Sequence, residues 1–173
     1  MPRAARVLTG PALIAKARCY VEQAAEALAA GDEQQVTWCL ASARRIFDDV
    51  PGLTRRMKEG AIESELVEGW RRLATGELAS AADYAQARAA KHEEFHVIQG
   101  LARFRQQDTA GAIQSFTAAI DARPNYYQAF LYRGAVLASA DRLDFALREY
   151  DQAIAIHPRY VRALLARAEL RVR

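Results

Sequence analysis

Cysteine is nearly absent from this 173-residue chain: Cys19 and Cys39 are the two it has. They form neither a Cys-x-x-Cys redox motif nor a metal-ligand spacing, so both are read as small buried hydrophobes. Nothing demands an oxidising compartment. Lysine is scarce too. Lys16, Lys58 and Lys91 stand against a majority of arginines, and with abundant alanine this points to a GC-rich bacterial genome. Five prolines and nine glycines are too few for a disordered chain. No apolar run is long enough to span a bilayer. The stretch after the basic N-terminus is broken by "TGPALIAK", which argues against a secretory signal. The expected compartment is the cytoplasm, with no membrane partner. A glycine-rich phosphate loop, a nucleophile elbow and a Cys-His pair are all missing. The net charge of +3 is mild and concentrated at the two ends. That argues against a dedicated nucleic-acid binder and leaves only nonspecific attraction through the basic ends.

What the chain does have is a repeat. Pro124 and Pro158 are 34 residues apart, and the residues before them match at that offset. Gly100 pairs with Gly134, Ala112 with Ala146, Phe116 with Tyr150, and Ala119 with Ala153. In each unit a first helix holds the glycine, where a neighbouring helix comes too close for a side chain. A second helix places alanine, aromatic and alanine at spacings of four and three, hence on one face. The proline ends that helix, because it has no N–H and disfavours helix in the residue before it.

This pattern resembles the tetratricopeptide repeat family, whose period is 34 residues. The resemblance implies an all-α fold, a right-handed superhelical stack of helical hairpins forming an α-solenoid. In that register one repeat is 93–126 and the next 127–160, with 161–173 a capping helix. The usual aromatic at position four is His96 in the first unit and Phe130 in the second; the usual leucine at position seven is Gln99 and Arg133. Arg103 replaces a common apolar residue at position eleven, so the neighbour upstream of Glu93 is expected to be nonstandard. Upstream, 11–50 and 53–92 read as degenerate hairpins turning at Gly31-Asp32 and Gly76, separated by Asp48–Gly52 and preceded by a tail over 1–10. All are expected to form one continuous domain. Arg167 and Arg171 fall where a following helix packs, which reads as a solvated cap.

The resemblance also implies a function: an interaction scaffold or adaptor, with no cofactor and no catalysis, that holds a partner peptide or helix in a groove lined by the first helices. Carried over by position, the lining residues are Glu94, Val97, Leu101, Phe104 and Arg105, then Gln128, Leu131, Tyr132 and Ala135, then Arg162. Asn125, Tyr126, Arg159 and Tyr160 stand at the repeat ends. One subclass of the family grips a chaperone's C-terminal carboxylate with Lys and Asn at positions five and nine. Here those positions are Val97, Leu101, Leu131 and Ala135, so that clamp is missing. The expected partner is apolar with some acidic groups, and self-association by end-to-end stacking is open.

One motif points elsewhere. "HEEFH" places His92 and His96 at the spacing of a zinc hydrolase, with Glu93 as the general base on metal-bound water. The third ligand of the extended form is missing, since its positions hold Gln99 and Ala102. The repeat boundary also falls between His92 and Glu93. His92 is therefore read as closing one helix at its C-terminus, and His96 as a polar residue at an interhelix position.

Overall fold

The computed structural model describes residues 10–30, 32–49 and 58–172. Residues 1–9 of the expected tail, Gly31 and the Val50–Gly52 part of the boundary lie outside them, while Gly10 opens the first helix. The described residues form nine α-helices and no strand: α1 (Gly10–Ala30), α2 (Glu33–Asp49), α3 (Lys58–Ala74), α4 (Leu78–Gln86), α5 (Glu94–Arg105), α6 (Thr109–Ala122), α7 (Tyr127–Ser139), α8 (Leu143–Ile156) and α9 (Val161–Val172). The chain divides into two compact units, 1–76 and 77–173, a division that falls inside the 53–92 segment.

In the first unit α1, α2 and α3 pack against one another pairwise. Ile14, Ala17, Val21 and Ala24 make one buried stripe along α1, at the three- and four-residue spacing that puts side chains on one helix face. Val36, Cys39, Leu40 and Ala43 do the same on α2, and Leu66, Val67, Trp70 and Leu73 on α3. Asp32 starts α2: its side chain accepts the Gln35 N–H at 2.9 Å. The cysteine reading needs one correction. Cys39 is fully buried, and burial pushes its thiol above the usual range. Cys19 is exposed because it falls off the α1 stripe.

The second unit is built from the repeats. α5 packs on α6 and α7 on α8, and each second helix also touches the next first helix. The glycines sit where the sequence places them for close approach. A Cβ on Gly100 would lie 2.7 Å from the Phe116 ring, and one on Gly134 would lie 2.6 Å from the Tyr150 ring. α5 and α7 end alike. Asp108 N–H returns to Arg103 O, and Arg142 N–H to Leu137 O, both at 2.9 Å. These six-to-one closures force the preceding residue into the left-handed region. That residue is Gln107 (φ +67°) in one repeat and Asp141 (φ +58°) in the other. Asp108 then caps α6 by accepting Gly111 N–H at 2.8 Å.

The departures at positions four, seven and eleven have a structural account. Phe95, one residue before His96, is fully buried and meets Tyr84 of α4 edge-on at 6.5 Å, so an aromatic contact to the upstream helix is made from position three, where the next repeat has the buried Ala129. Gln99 donates to Gln86 of α4 and accepts from the Ser115 hydroxyl, both at 3.3 Å. Arg103 donates to Ser115 and to the Gly111 carbonyl. One repeat later, Arg133 grips Glu149 of α8 with a bidentate fork at 2.9–3.0 Å and donates to Thr117 of α6. A polar ladder has replaced the leucine seam. Each rung is mutually satisfied, which is what makes buried polar groups tolerable.

Candidate functional site

The first helices of the second unit, α5, α7 and α9, touch one another in turn, so they present one continuous face. The residues expected to line it do not all reach its surface. Glu94, Leu101 and Phe104 are half-buried and Arg105 is exposed. Gln128 is half-buried and Ala135 exposed. Val97 has no accessible surface, and Leu131 and Tyr132 are buried. They are packed inside the unit and offer little surface of their own. Tyr126 and Tyr160 are buried at the repeat ends, with Asn125 and Arg159 exposed beside them. On α9, Leu165 is 57% exposed, which extends the apolar strip beyond Ala135.

The floor is aromatic and joined to charge. Tyr132 stacks on Phe116 at 5.8 Å between centroids. The Arg162 guanidinium lies over the same Tyr132 ring, 5.7 Å from its centroid. Its Nη1 is buried and meets no acceptor among the described residues. Burial pushes the Tyr126 hydroxyl well above its ordinary range, and the nearby Glu94 carboxylate adds to the shift. At the repeat ends, positions one and thirty-one meet in both units by different chemistry. Glu93 pairs with Arg123 at 2.9 Å, whereas Tyr127 stacks on His157 at 4.8 Å.

The zinc-hydrolase arrangement is not formed. α5 begins at Glu94, so His92 stands before the helix that carries His96. The His92 reading is corrected in detail: its Nδ1 accepts the Glu94 N–H at 3.2 Å, capping the start of α5 rather than the end of α4. α4 has already finished at Gln86, and residues 87–91 are turns. Glu93, the would-be base, is held by Arg123. Burial works to raise its carboxyl, but its own backbone N–H, Arg123 and His92 leave it below the usual value. Burial alone lowers the pKa of His96.

Two features escaped the sequence reading. A cleft of about 360 Å³ lies between α2 and α3, lined chiefly by Leu40, Ala41, Val67 and Ala74 with Arg44 and Glu68. Glu68 is held at about 2, first by its hydrogen bond from Arg71 and then, against the cost of burial, by Arg72. Trp38 is 55% exposed and meets Tyr20 edge-on at 5.5 Å. Neither had a periodic signal, because both come from contacts between helices outside the 34-residue register.

A family model described as tetratricopeptide repeat matches residues 66–127 and again 98–161, together more than half of the chain. The chain belongs to the tetratricopeptide repeat family. No curated protein sequence matches it. Among solved structures it is similar to the first tetratricopeptide repeat domain of Spaghetti (RPAP3), which is bound to the HSP90 peptide SRMEEVD. That likeness has a TM-score of 0.56 at 19% identity and covers 60% of this chain and 84% of that one. MamA matches with a TM-score of 0.56 at 19% identity over 90% of this chain and 80% of its own. YrrB, described as a tetratricopeptide repeat protein with an unusual peptide-binding site, matches with a TM-score of 0.50 at 18% identity, covering 86% and 90%. At these identities the likeness establishes the fold: an all-α tetratricopeptide solenoid. Among the described residues, no helix is long and apolar enough to cross a membrane.

Proposed function

We propose that this tetratricopeptide repeat protein is an interaction module that receives an apolar, partly acidic peptide or helix on the α5–α7–α9 face, as scaffold or adaptor and without catalysis. Proteins of the family are generally non-catalytic interaction modules. Two of the similar structures are described by the peptides or peptide site they carry. The observation that carries the reading is Arg162. Its guanidinium lies over the Tyr132 ring with one N–H donor that is buried and meets no acceptor among the described residues, on the same helix as the exposed Leu165. Arg and Tyr are the residue types on which binding energy concentrates. The lysine and asparagine that hold a chaperone tail are replaced by Val97, Leu101, Leu131 and Ala135, so the peptide differs from such a tail. A cytoplasmic, bacterial setting fits the composition. Phe104→Glu with Leu165→Glu tests the reading, both positions having accessible surface. Partners recovered from the native host by the parent chain are expected to be lost by this variant; full retention of every partner by a folded variant sinks the idea.

A further inference from the structure

We infer that the cleft between α2 and α3 is a binding site for a small amphiphilic carboxylate, with the apolar body inside the cleft and the carboxylate at its mouth on Arg44. The site belongs to the first unit and does not depend on peptide binding to the α5–α7–α9 face.

Size and lining define the body of the ligand. A volume of about 360 Å³ is within the range of small-molecule pockets. Leu40 and Ala41 line it from α2, Val67 and Ala74 from α3. The polar groups along this stretch are engaged already. The Thr37 hydroxyl donates to the Glu33 carbonyl at 2.8 Å, and the Thr75 hydroxyl to the Arg71 carbonyl at 3.1 Å. Glu68 accepts from Arg71 Nε and Nη2 at 2.9 Å and from Arg72 Nε at 2.8 Å, so both of its oxygens are held. What remains for a ligand is mainly methyl and methylene surface, which is favourably removed from water.

The head group is defined next door. A second, polar cavity of about 170 Å³ shares Arg44, Val67 and Glu68 with the first. Arg44 is thus the cation that lines both. Its nearest approach to Asp48 is 3.7 Å, too long for a hydrogen bond, and its guanidinium makes none among the described residues. The half-buried Ser64 hydroxyl, which also lines the polar cavity, makes none either. Two unfilled donors therefore converge where the apolar cleft ends. A carboxylate fills both, and its bond to the guanidinium is charge-assisted. The surrounding charge has the matching sign: three cations, Arg44, Arg71 and Arg72, stand against two anions, Asp48 and Glu68. A cationic head meets that excess as repulsion. The Arg44 side chain is 63% exposed, so the carboxylate keeps part of its hydration while the apolar body leaves water.

Decanoate is the probe, with decylammonium and butyrate as controls, each below its micelle concentration. Titrated calorimetrically into the full chain, decanoate is expected to bind one to one. Decylammonium, with the wrong charge, and butyrate, with too little apolar surface, should bind at least about tenfold more weakly. Arg44→Gln should weaken decanoate about tenfold, and Arg44→Lys should keep part of that affinity. Ala41→Phe, made at an exposed position that lines the cleft, should abolish binding by filling it. Phe104→Glu with Leu165→Glu should leave decanoate binding unchanged. Circular dichroism confirms that each variant keeps its helix content. No saturable decanoate binding, equal binding of decylammonium, or indifference to Arg44→Gln or to Ala41→Phe overturns the proposal. Loss of binding in Phe104→Glu with Leu165→Glu would put the amphiphile on the α5–α7–α9 face, which overturns it too.

Discussion

Gly134→Ala separates two effects of opposite sign. In an unobstructed helix, replacing glycine by alanine stabilises by about 1 kcal/mol through backbone entropy. Here the new methyl would lie 2.6 and 2.9 Å from Tyr150 ring atoms and 3.1 Å from the Glu149 Cβ. Tyr150 is only 4% exposed, so its ring has nowhere to retreat. Overpacking of this kind costs about 1–3 kcal/mol. The expected net effect is a destabilisation between about 0 and 2 kcal/mol, from the same two terms. Tyr150→Leu removes the obstructing ring, so the double variant should be more stable than the sum of the singles by about 1 kcal/mol or more. The probe has to be chosen with care. Trp38 and Trp70, the chain's two tryptophans, both lie in the first unit, so their emission does not follow this site. Urea unfolding followed by far-UV circular dichroism, with hydrogen exchange of the α7 and α8 amides, reports on the second unit. Stabilisation by Gly134→Ala, together with additive singles, would show that the helices are not held at the distance described.

Three other outcomes follow from the same geometry. Gln107→Gly should stabilise the second unit by up to about 1 kcal/mol, since a left-handed non-glycine residue costs about 1–2 kcal/mol and the added glycine entropy offsets part of that. Asp141→Gly should gain less, because aspartate tolerates this conformation better; equal or negative effects in urea titrations contradict the assignment of strain. His96 has a lowered folded pKa, so the unfolded chain binds its proton first as pH falls. Its contribution is present above the unfolded value, about 6.5, and is lost on acidification below it. Melting at pH 7.5 and 5.5 should therefore show a larger acid loss in the parent than in His96→Phe, whereas parallel losses refute the burial argument. Arg133→Ala should cost about 1–3 kcal/mol by leaving Glu149 without its fork; Arg133→Ala with Glu149→Ala should recover part of this, and a double variant no better than the single refutes the pairing.

The second unit was legible in the sequence because its packing is local and periodic. Gly100 and Gly134 announced the close approach, and Phe116 and Tyr150 the rings that fill it. The break between His92 and the helix of His96 followed from the same register. The polar ladder was not legible. Gln99, Arg133 and Arg167 look like defects in a leucine position until their partners, which lie on other helices, are placed. Nor could the pattern tell lining from support. Val97 and Leu101 share a helical face, yet the first is fully buried and the second partly open. The Phe95 contact was hidden for a related reason: its partner Tyr84 belongs to a helix of only nine residues outside the register.

The central claim is that the α5–α7–α9 face binds a peptide. Selection of short random peptides on the full chain, followed by titration of the enriched sequences, tests it most directly. Enriched peptides should combine apolar side chains with Asp or Glu, and their affinity should fall about tenfold or more in Phe104→Glu with Leu165→Glu and in Arg162→Gln. Selected peptides that bind all three proteins equally would contradict the account.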